Sequence, residues 1–181
     1  HYAGLLDATF KTELSQSITL LEEQLGSIKV QASALASAFH NKLPVIYASD
    51  RFEAVAVRFQ QQLNANAKQF AHVNVFPEAG HNEVAGWQHP EELFGRLAVL
   101  YIKTAYDNPR TKICMDLAKP LLQRQMQGIL EVEAVGATFL EQAFYLIHLF
   151  DWVSVYLADL NRVDPSNNDN IDYLKREISK V

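Results

Sequence analysis

The sequence predicts an α/β fold in which a mostly parallel sheet lies between two layers of helices. The main observation is that short apolar runs alternate with longer segments of helical periodicity, joined by short loops. Such an alternation produces parallel βαβ units with right-handed crossovers. The second observation is size, because 181 residues with 49% hydrophobic content suffice for one core and are few for two ordinary domains. We therefore expect a three-layer sandwich.

The first forty residues are expected to form two helices that pack on this domain. Apolar residues recur at helical spacing on both sides of a break at Gly26 and Ser27. Residues 1–40 are thus predicted to be a helical lead-in, and residues 41–181 the α/β domain proper.

The domain opens with alternating strands and helices. Apolar runs typical of buried strands occur at residues 43–47, 73–76 and 97–103. Asp50 and Glu53 are predicted to form a capping box that starts a helix running to about Phe70. Pro90, followed by two glutamates, predicts another short helix.

The second half of the chain predicts one more strand and several helices. Residues 129–135 alternate apolar and acidic side chains, which is typical of an edge strand with one exposed face. Residues 117–126 have a helical pattern, while residues 112–114 fit either a short strand or the start of a helix. Residues 137–160 contain no Gly or Pro, are apolar on most sides, and predict a long core helix. After a turn, residues 171–178 predict an amphipathic helix.

The overall composition excludes several classes of function. A net charge of −5 without a cluster of basic residues argues against nucleic acid as a partner. We expect no membrane span, which requires an apolar run of about 18 residues. The single cysteine, Cys114, cannot form an internal disulfide, and this favours a cytoplasmic location. Because the chain opens at His1 rather than at a methionine, we expect further sequence upstream.

The polar segment after the second predicted strand is the main candidate for chemistry. It contains Glu78, His81, Asn82 and Glu83, and ligands of such sheets bind beyond the carboxyl ends of the strands. Gly80 is expected to adopt a positive φ that re-aims His81, whose imidazole could transfer protons near neutral pH. A solvated turn with a surface histidine remains the open alternative.

The other chemistry-bearing residues give weaker signals. His81 and His89 match no metal-ligand spacing, and no phosphate-binding glycine motif occurs, so we predict neither a metal nor a cofactor. Cys114 lies in an apolar context typical of an inert thiol. Asp151 interrupts an apolar helix and is expected to need a structural hydrogen-bond partner from a neighbouring loop. By spacing alone, Lys175 belongs to a solvated helix face.

Four segments together resemble the C-terminal half of the bifunctional phosphoglucose/phosphomannose isomerases, which belong to the sugar isomerase (SIS) superfamily. The first contains Asn64-Ala65-Asn66-Ala67-Lys68 and the second contains His81-Asn82-Glu83. The segments and their order are residues 58–68, 77–87, 151–158, and 163–165 followed by 171–175. The resemblance extends from about Asn41 to the end of the chain.

The resemblance implies roles for individual residues. His81 would open the sugar ring, and Lys175 would contact the substrate near the reacting oxygens. Asn82, Glu83 and Ser166 would contribute to substrate binding, with Ser166 nearest to a family threonine.

One departure from the family pattern affects catalysis directly. The family has a glutamate as the base that moves a proton between C1 and C2 of the sugar, and this chain has Ala65 there. A methyl group accepts no proton, and base catalysis contributes roughly 10²–10⁴-fold.

The resemblance also implies function and partners. The expected activity is interconversion of glucose 6-phosphate or mannose 6-phosphate with fructose 6-phosphate. A catalytically impaired phosphosugar-binding module is the alternative, and an SIS domain for another phosphosugar is a third possibility. The expected partners are the phosphosugar, a second copy in a homodimer, and an N-terminal SIS domain that is absent from this chain.

Overall fold

Four parallel strands form the sheet at the centre of the computed structural model, which describes residues 9–126 and 128–180. They are β1 (Leu43–Ser49), β2 (His72–Phe76), β3 (Leu97–Lys103) and β4 (Ile129–Glu133). Their order across the sheet is β2-β1-β3-β4. The chain first builds outward from β1 to β2 and then crosses to β3 on the other side of β1. The predicted parallel sheet is confirmed.

Helices cover both faces of this sheet, as predicted. Within the described residues they are α1 (Thr9–Phe39), α2 (Glu53–Ala65), α3 (Glu78–His81), α4 (Glu83–Gly86), α5 (Glu91–Phe94), α6 (Pro109–Leu122), α7 (Phe139–Asn161) and α8 (Asp169–Ile178). Helices α1, α2 and α7 supply the larger apolar core on one face. Helix α6 and the short turns α3 to α5 supply a second core on the opposite face. The result is the expected three-layer sandwich.

Helix α1 is continuous, so the predicted break at Gly26 and Ser27 is wrong. The Gly26 Cα faces open space, and the Ser27 hydroxyl donates to the backbone oxygen of Gln24 at 2.9 Å. One helical glycine costs about 1 kcal/mol relative to alanine. Burial of α1 residues from Ile28 to Phe39 in the core it shares with α7 outweighs that cost.

Helix α7 is the long core helix that the sequence predicts. It begins with a capping box in which Thr138 and Glu141 each accept from the other's backbone N–H. By length and composition alone this helix could cross a membrane, but the core helix of a globular fold has the same composition. Here it packs between α1 and α2, with residues such as Leu149 and Val153 fully buried.

The start and end of α2 differ from the prediction. Asp50 opens a 3₁₀ turn, where its carboxylate accepts from the backbone N–H of Arg51, and α2 itself has no side-chain cap. The predicted capping box is therefore wrong. The helix ends at Ala65, five residues before the predicted end, and the chain turns at Lys68, which has a φ of 53°.

Residues 112–114, which could have formed either a short strand or the start of a helix, lie inside helix α6. Its start is fixed by Asn108, whose side chain accepts from the backbone N–H of Arg110, with Pro109 in the first turn. Met115, Ala118 and other apolar residues of α6 bury against the sheet.

Candidate active site

A cleft of about 420 Å³ opens where α2 ends against the turn before α8. We call it the Ala65 cleft. Its lining is rich in side-chain amides and consists of Gln61, Asn64, Ala65, Lys68, Asn167, Asn168, Asp169, Asn170 and Ile171. Amide side chains both donate and accept hydrogen bonds, and those of Asn167 and Asn168 already bond within the turn before α8.

Lys68 connects the two walls of the Ala65 cleft. Its Nζ donates to the backbone oxygens of Ala65 and Asn167, each at 2.5 Å. The first oxygen belongs to the last residue of α2, and the second to the turn before α8. The ammonium group therefore links the end of α2 to the turn before α8.

A polar seam between α2 and α7 fixes the wall that carries Ala65. Asp151 accepts from both terminal nitrogens of Arg58 at 3.1 Å and from Gln62 at 2.8 Å. One turn further, Asn66 donates to the Ser154 hydroxyl at 2.9 Å. The predicted need of Asp151 for a structural partner is confirmed, although the partner is helix α2 rather than a loop.

Lys175 and Ser166 lie near the cleft without lining it. Lys175 follows Ile171 by four residues on α8, so the two side chains share one face of the helix. Lys175 is exposed. Ser166 donates through its backbone N–H and its hydroxyl to Asp164 at 2.8 and 2.7 Å. These two bonds lower the pKa of Asp164.

His81 lies on the opposite face of the sheet. The polar segment after β2 is not a loop, because it forms the short helical turns α3 and α4. His81 ends α3, is exposed, and makes no side-chain hydrogen bond within the described part of the chain. Its neighbour Asn82 donates to Glu78 at 3.0 Å.

Gly80 is needed for close packing rather than for a positive φ, so that expectation is wrong. It lies in the helical turn α3, and a Cβ added there would come within 2.7 Å of the Cys114 sulfur on α6. The absent side chain lets α3 approach α6 closely. The thiol of Cys114 is thus a packing surface beneath the segment that carries His81.

Glu83 is the most strongly bound carboxylate of this segment. It accepts from the Tyr47 hydroxyl, from Asn74 Nδ2, and from His72 Nε2 at 3.1 Å. Burial alone would raise its pKa, but these hydrogen bonds and the charge of His72 lower the pKa of Glu83 to about 2. Glu83 is therefore ionised, with both oxygens engaged by the sheet.

A second cleft, of about 350 Å³, lies beyond the carboxyl ends of β3 and β4. Its lining includes Thr104 and Asp107 but none of the predicted site residues. The Asp107 carboxylate accepts from the Ser49 hydroxyl at 2.6 Å and from Thr104. The segment with His81, for which the strand-end position was predicted, does follow the carboxyl end of β2, whereas Ala65 lies at the end of a helix.

Residues 28–178 match the family model of the bacterial phospho-glucose isomerase C-terminal SIS domain. The chain belongs to this family. A bifunctional phosphoglucose/phosphomannose isomerase of Aquifex aeolicus is 34% identical over 170 residues, which are 94% of this chain and 53% of that protein. One of Caldicellulosiruptor bescii is 35% identical over 151 residues, covering 83% of this chain and 44% of that protein. The chain spans about half the length of these relatives.

The fold of this SIS domain is also found in a solved structure, a glucose-6-phosphate isomerase like protein from Thermus thermophilus. The TM-score is 0.69 at 23% identity, covering 88% of this chain and 57% of that one. Both the resemblance and the fold class predicted from the sequence are confirmed.

The SIS domain divides the predicted site residues into two groups. Ala65 lines the cleft on the side of α2, and Lys175 lies near it on α8, one helical turn beyond the lining residue Ile171. His81, Asn82 and Glu83 belong to the other face, where α3 and α4 contact α6. No residue of segment 77–87 lines the Ala65 cleft. One chain therefore does not bring His81 to Ala65.

Sequence reasoning missed several residues of these two groups. Lys68 and Asn167 form the bridge across the cleft, and Tyr47 and His72 bind Glu83. His72 and Asn74 could have been identified as neighbours from the sequence, because residues two apart on a strand lie on the same face of the sheet. The Lys68 bridge had no signal, because it depends on how a turn closes over a helix end.

Proposed function

We propose that this chain is part of an isomerase that interconverts glucose 6-phosphate or mannose 6-phosphate with fructose 6-phosphate. The observation that carries the proposal is the family match over residues 28–178, which includes both groups of site residues. The amide-rich Ala65 cleft supports it, because the open-chain sugar presents a row of hydroxyl groups.

The reaction requires acid–base chemistry at adjacent carbons. His81 transfers the proton that opens the ring, and a base then removes the C2 proton of the aldose and delivers a proton to C1. The ammonium of Lys175 stabilises the negative charge that develops on the enediolate oxygen. These steps need no redox chemistry.

Ala65 cannot act as the base for this proton transfer. Among the residues lining the cleft, Asp169 is the only carboxylate. It is exposed and accepts from the Asn167 amide at 2.9 Å. We therefore assign the proton transfer between C1 and C2 to Asp169 in this chain. Glu78 and Glu83 lie with His81 and are not available to the cleft.

The complete site requires a second chain or domain. Because His81 and Ala65 lie on opposite faces of one sheet, His81 acts on sugar bound in the cleft of a second copy in a homodimer. An N-terminal SIS domain of the kind that the length of the relatives allows supplies the phosphate contacts. The disulfide-free composition supports a cytoplasmic location for this assembly.

A phosphosugar-binding module without turnover is the second candidate. One observation favours it, namely the methyl group of Ala65 at the position of the family's base. The cleft and its Lys68 bridge would still bind the sugar.

Coupled assays with glucose 6-phosphate and mannose 6-phosphate on the full-length native protein, together with calorimetry using fructose 6-phosphate, separate the two candidates. If the protein is an isomerase, we expect turnover in the native protein and a fall of roughly 10²-fold or more in Asp169→Asn. The control is Asp172→Asn, an exposed carboxylate of α8 outside the cleft lining. Binding without turnover in the native protein would establish the binding module instead.

A further inference from the structure

The contacts of Glu83 connect the sheet to the helical turn that carries His81. We propose that Tyr47, His72 and Asn74 are positioning residues for His81, because they hold Glu83 and thereby the α3–α4 segment over strands β1 and β2. The proposal rests on the proposed function, in which His81 opens the sugar ring. None of the three side chains is expected to touch the sugar.

The hydrogen bond from Tyr47 has a fixed direction. The indole N–H of Trp87 donates to the Tyr47 oxygen at 3.1 Å, and an indole nitrogen can only donate. The Tyr47 proton must therefore go to Glu83. Burial and the neighbouring carboxylate raise the pKa of Tyr47, so the hydroxyl stays protonated and remains a donor.

The side chain of Asn74 is also fixed in orientation. Its Oδ1 accepts from the backbone N–H of Val75 at 2.8 Å, which leaves Nδ2 to donate to Glu83. Tyr47 and Asn74 are register partners on adjacent strands, so their side chains lie side by side on one face. The two strands together form a rigid platform for the carboxylate.

His72 supplies the contact that depends on pH. Its Nε2 lies 3.1 and 3.2 Å from the two carboxylate oxygens of Glu83, and 46% of its side-chain surface is exposed. The charged or titratable groups that face it in the described structure are Glu83 on α4 and, behind that carboxylate, Tyr47 on β1. The hydrogen bond that His72 donates to Glu83 raises the pKa of His72. Below that pKa the contact is an ion pair, and above it a weaker neutral hydrogen bond.

The segment carrying His81 is thus held at two points. Gly80 packs against the Cys114 sulfur, and Glu83 binds the platform. His81 lies between them, one residue after Gly80 and two before Glu83. A change at Glu83 is transmitted to His81 through Asn82, the single residue between them. The geometry therefore couples the protonation of His72 to the position of His81.

The test follows the ring resonances of the histidines by NMR between pH 5 and 9, in this chain and in three variants. In the unmodified chain, the His81 Cε1–Hε1 signal should show a second inflection at the pKa of His72. His72→Gln keeps a hydrogen-bond donor without a titrating charge, so it should remove only the second inflection. Glu83→Gln should displace the His81 signal at every pH, because its amide cannot accept from all three donors. His89→Gln changes an exposed histidine with no described side-chain partner and serves as the control.

Superimposable His81 titration curves in the unmodified chain, His72→Gln and Glu83→Gln would overturn the positioning role. This readout needs no turnover, so failure of the proposed function leaves it interpretable. In an active enzyme, Glu83→Gln should lower kcat by up to about 10²-fold with little change in KM, as expected when a catalytic group is misplaced. Turnover that is unaffected by Glu83→Gln, in a protein that does isomerise, would contradict the proposal without touching the assignment of the reaction.

Discussion

Restoring a carboxylate at position 65 should increase isomerase activity. Ala65 is the last residue of α2 and lines a cleft of about 420 Å³. Glutamate lengthens this side chain by a methylene and a carboxylate, and the cleft has room for many water molecules of about 30 Å³ each. Ala65→Glu therefore places a base in the cleft without displacing the backbone.

The expected gain follows from the contribution of base catalysis. A positioned base contributes roughly 10²–10⁴-fold, which corresponds to about 3–5 kcal/mol of transition-state stabilisation. This is the upper limit of the gain, because Asp169 is assigned the same proton transfer in the native chain. A negative charge at a helix carboxyl end costs about 0.3–1 kcal/mol of stability. The Lys68 ammonium, which binds the Ala65 carbonyl, offsets part of that cost. We expect the free energy of unfolding to change by less than about 1 kcal/mol.

The assay measures kcat and KM for glucose 6-phosphate and mannose 6-phosphate in the full-length native protein, Ala65→Glu and Ala54→Glu. Ala54 is exposed near the other end of α2, so the control adds the same side chain outside the cleft. A rise in Ala65→Glu alone supports the reasoning. If Ala65→Glu binds fructose 6-phosphate normally and shows no gain in turnover, position 65 is not the site of the base.

Three further predictions concern packing and charge. Gly80→Ala should destabilise the chain by about 1–3 kcal/mol in urea titrations, because its Cβ meets the Cys114 sulfur at 2.7 Å, and adding Cys114→Ala should restore most of the loss. Because the pKa of Glu83 is lowered in the folded chain, its stabilising contribution is present above pH 4.5 and is lost as the pH falls toward 2. Over that range, the free energy of unfolding should therefore fall less steeply in Glu83→Gln than in the unmodified chain. An unchanged slope would contradict the assigned contacts. Asp151→Asn should cost about 1 kcal/mol, since the pair with Arg58 is about one-third exposed, and a double-mutant cycle with Arg58→Ala should show coupling.

Much of the fold could be predicted because its signals are local. Buried parallel strands appear as short apolar runs, and all four predicted strands are present within a few residues of their predicted bounds. Helix α7 was predictable for the same reason, since residues 137–160 are apolar on most sides. In both cases one segment of sequence contains the whole pattern.

The errors arose where distant contacts outweigh local preference. Gly26 suggested a break in α1, but burial against α7 keeps the helix continuous. Gly80 suggested a special φ, whereas its role is set by Cys114, more than thirty residues away. A sequence shows which residues are small or polar, but not what lies opposite them in the fold.

The candidate site shows the same limit. His81, Lys175 and the unusual Ala65 could be named from motifs, but motifs do not state on which face of a sheet their residues lie. The structure adds that His81 is separated from Ala65 by the sheet within one chain. The proposal that a second copy completes the site therefore rests on the fold, which no local pattern records.

The contacts that hold the cleft determine whether a base at position 65 affects kcat or KM. Lys68 bridges both walls, and the seam of Arg58, Asp151 and Gln62 fixes α2, so contacts within the chain hold both walls of the cleft. A preorganised site spends little binding energy on ordering its own groups. The base, in contrast, acts only in the transition state, and losing such an interaction lowers kcat and kcat/KM together. Position 65 should therefore control kcat while KM stays nearly constant, and a rise in affinity without a rise in kcat in Ala65→Glu would show that this residue binds the sugar rather than moving its proton.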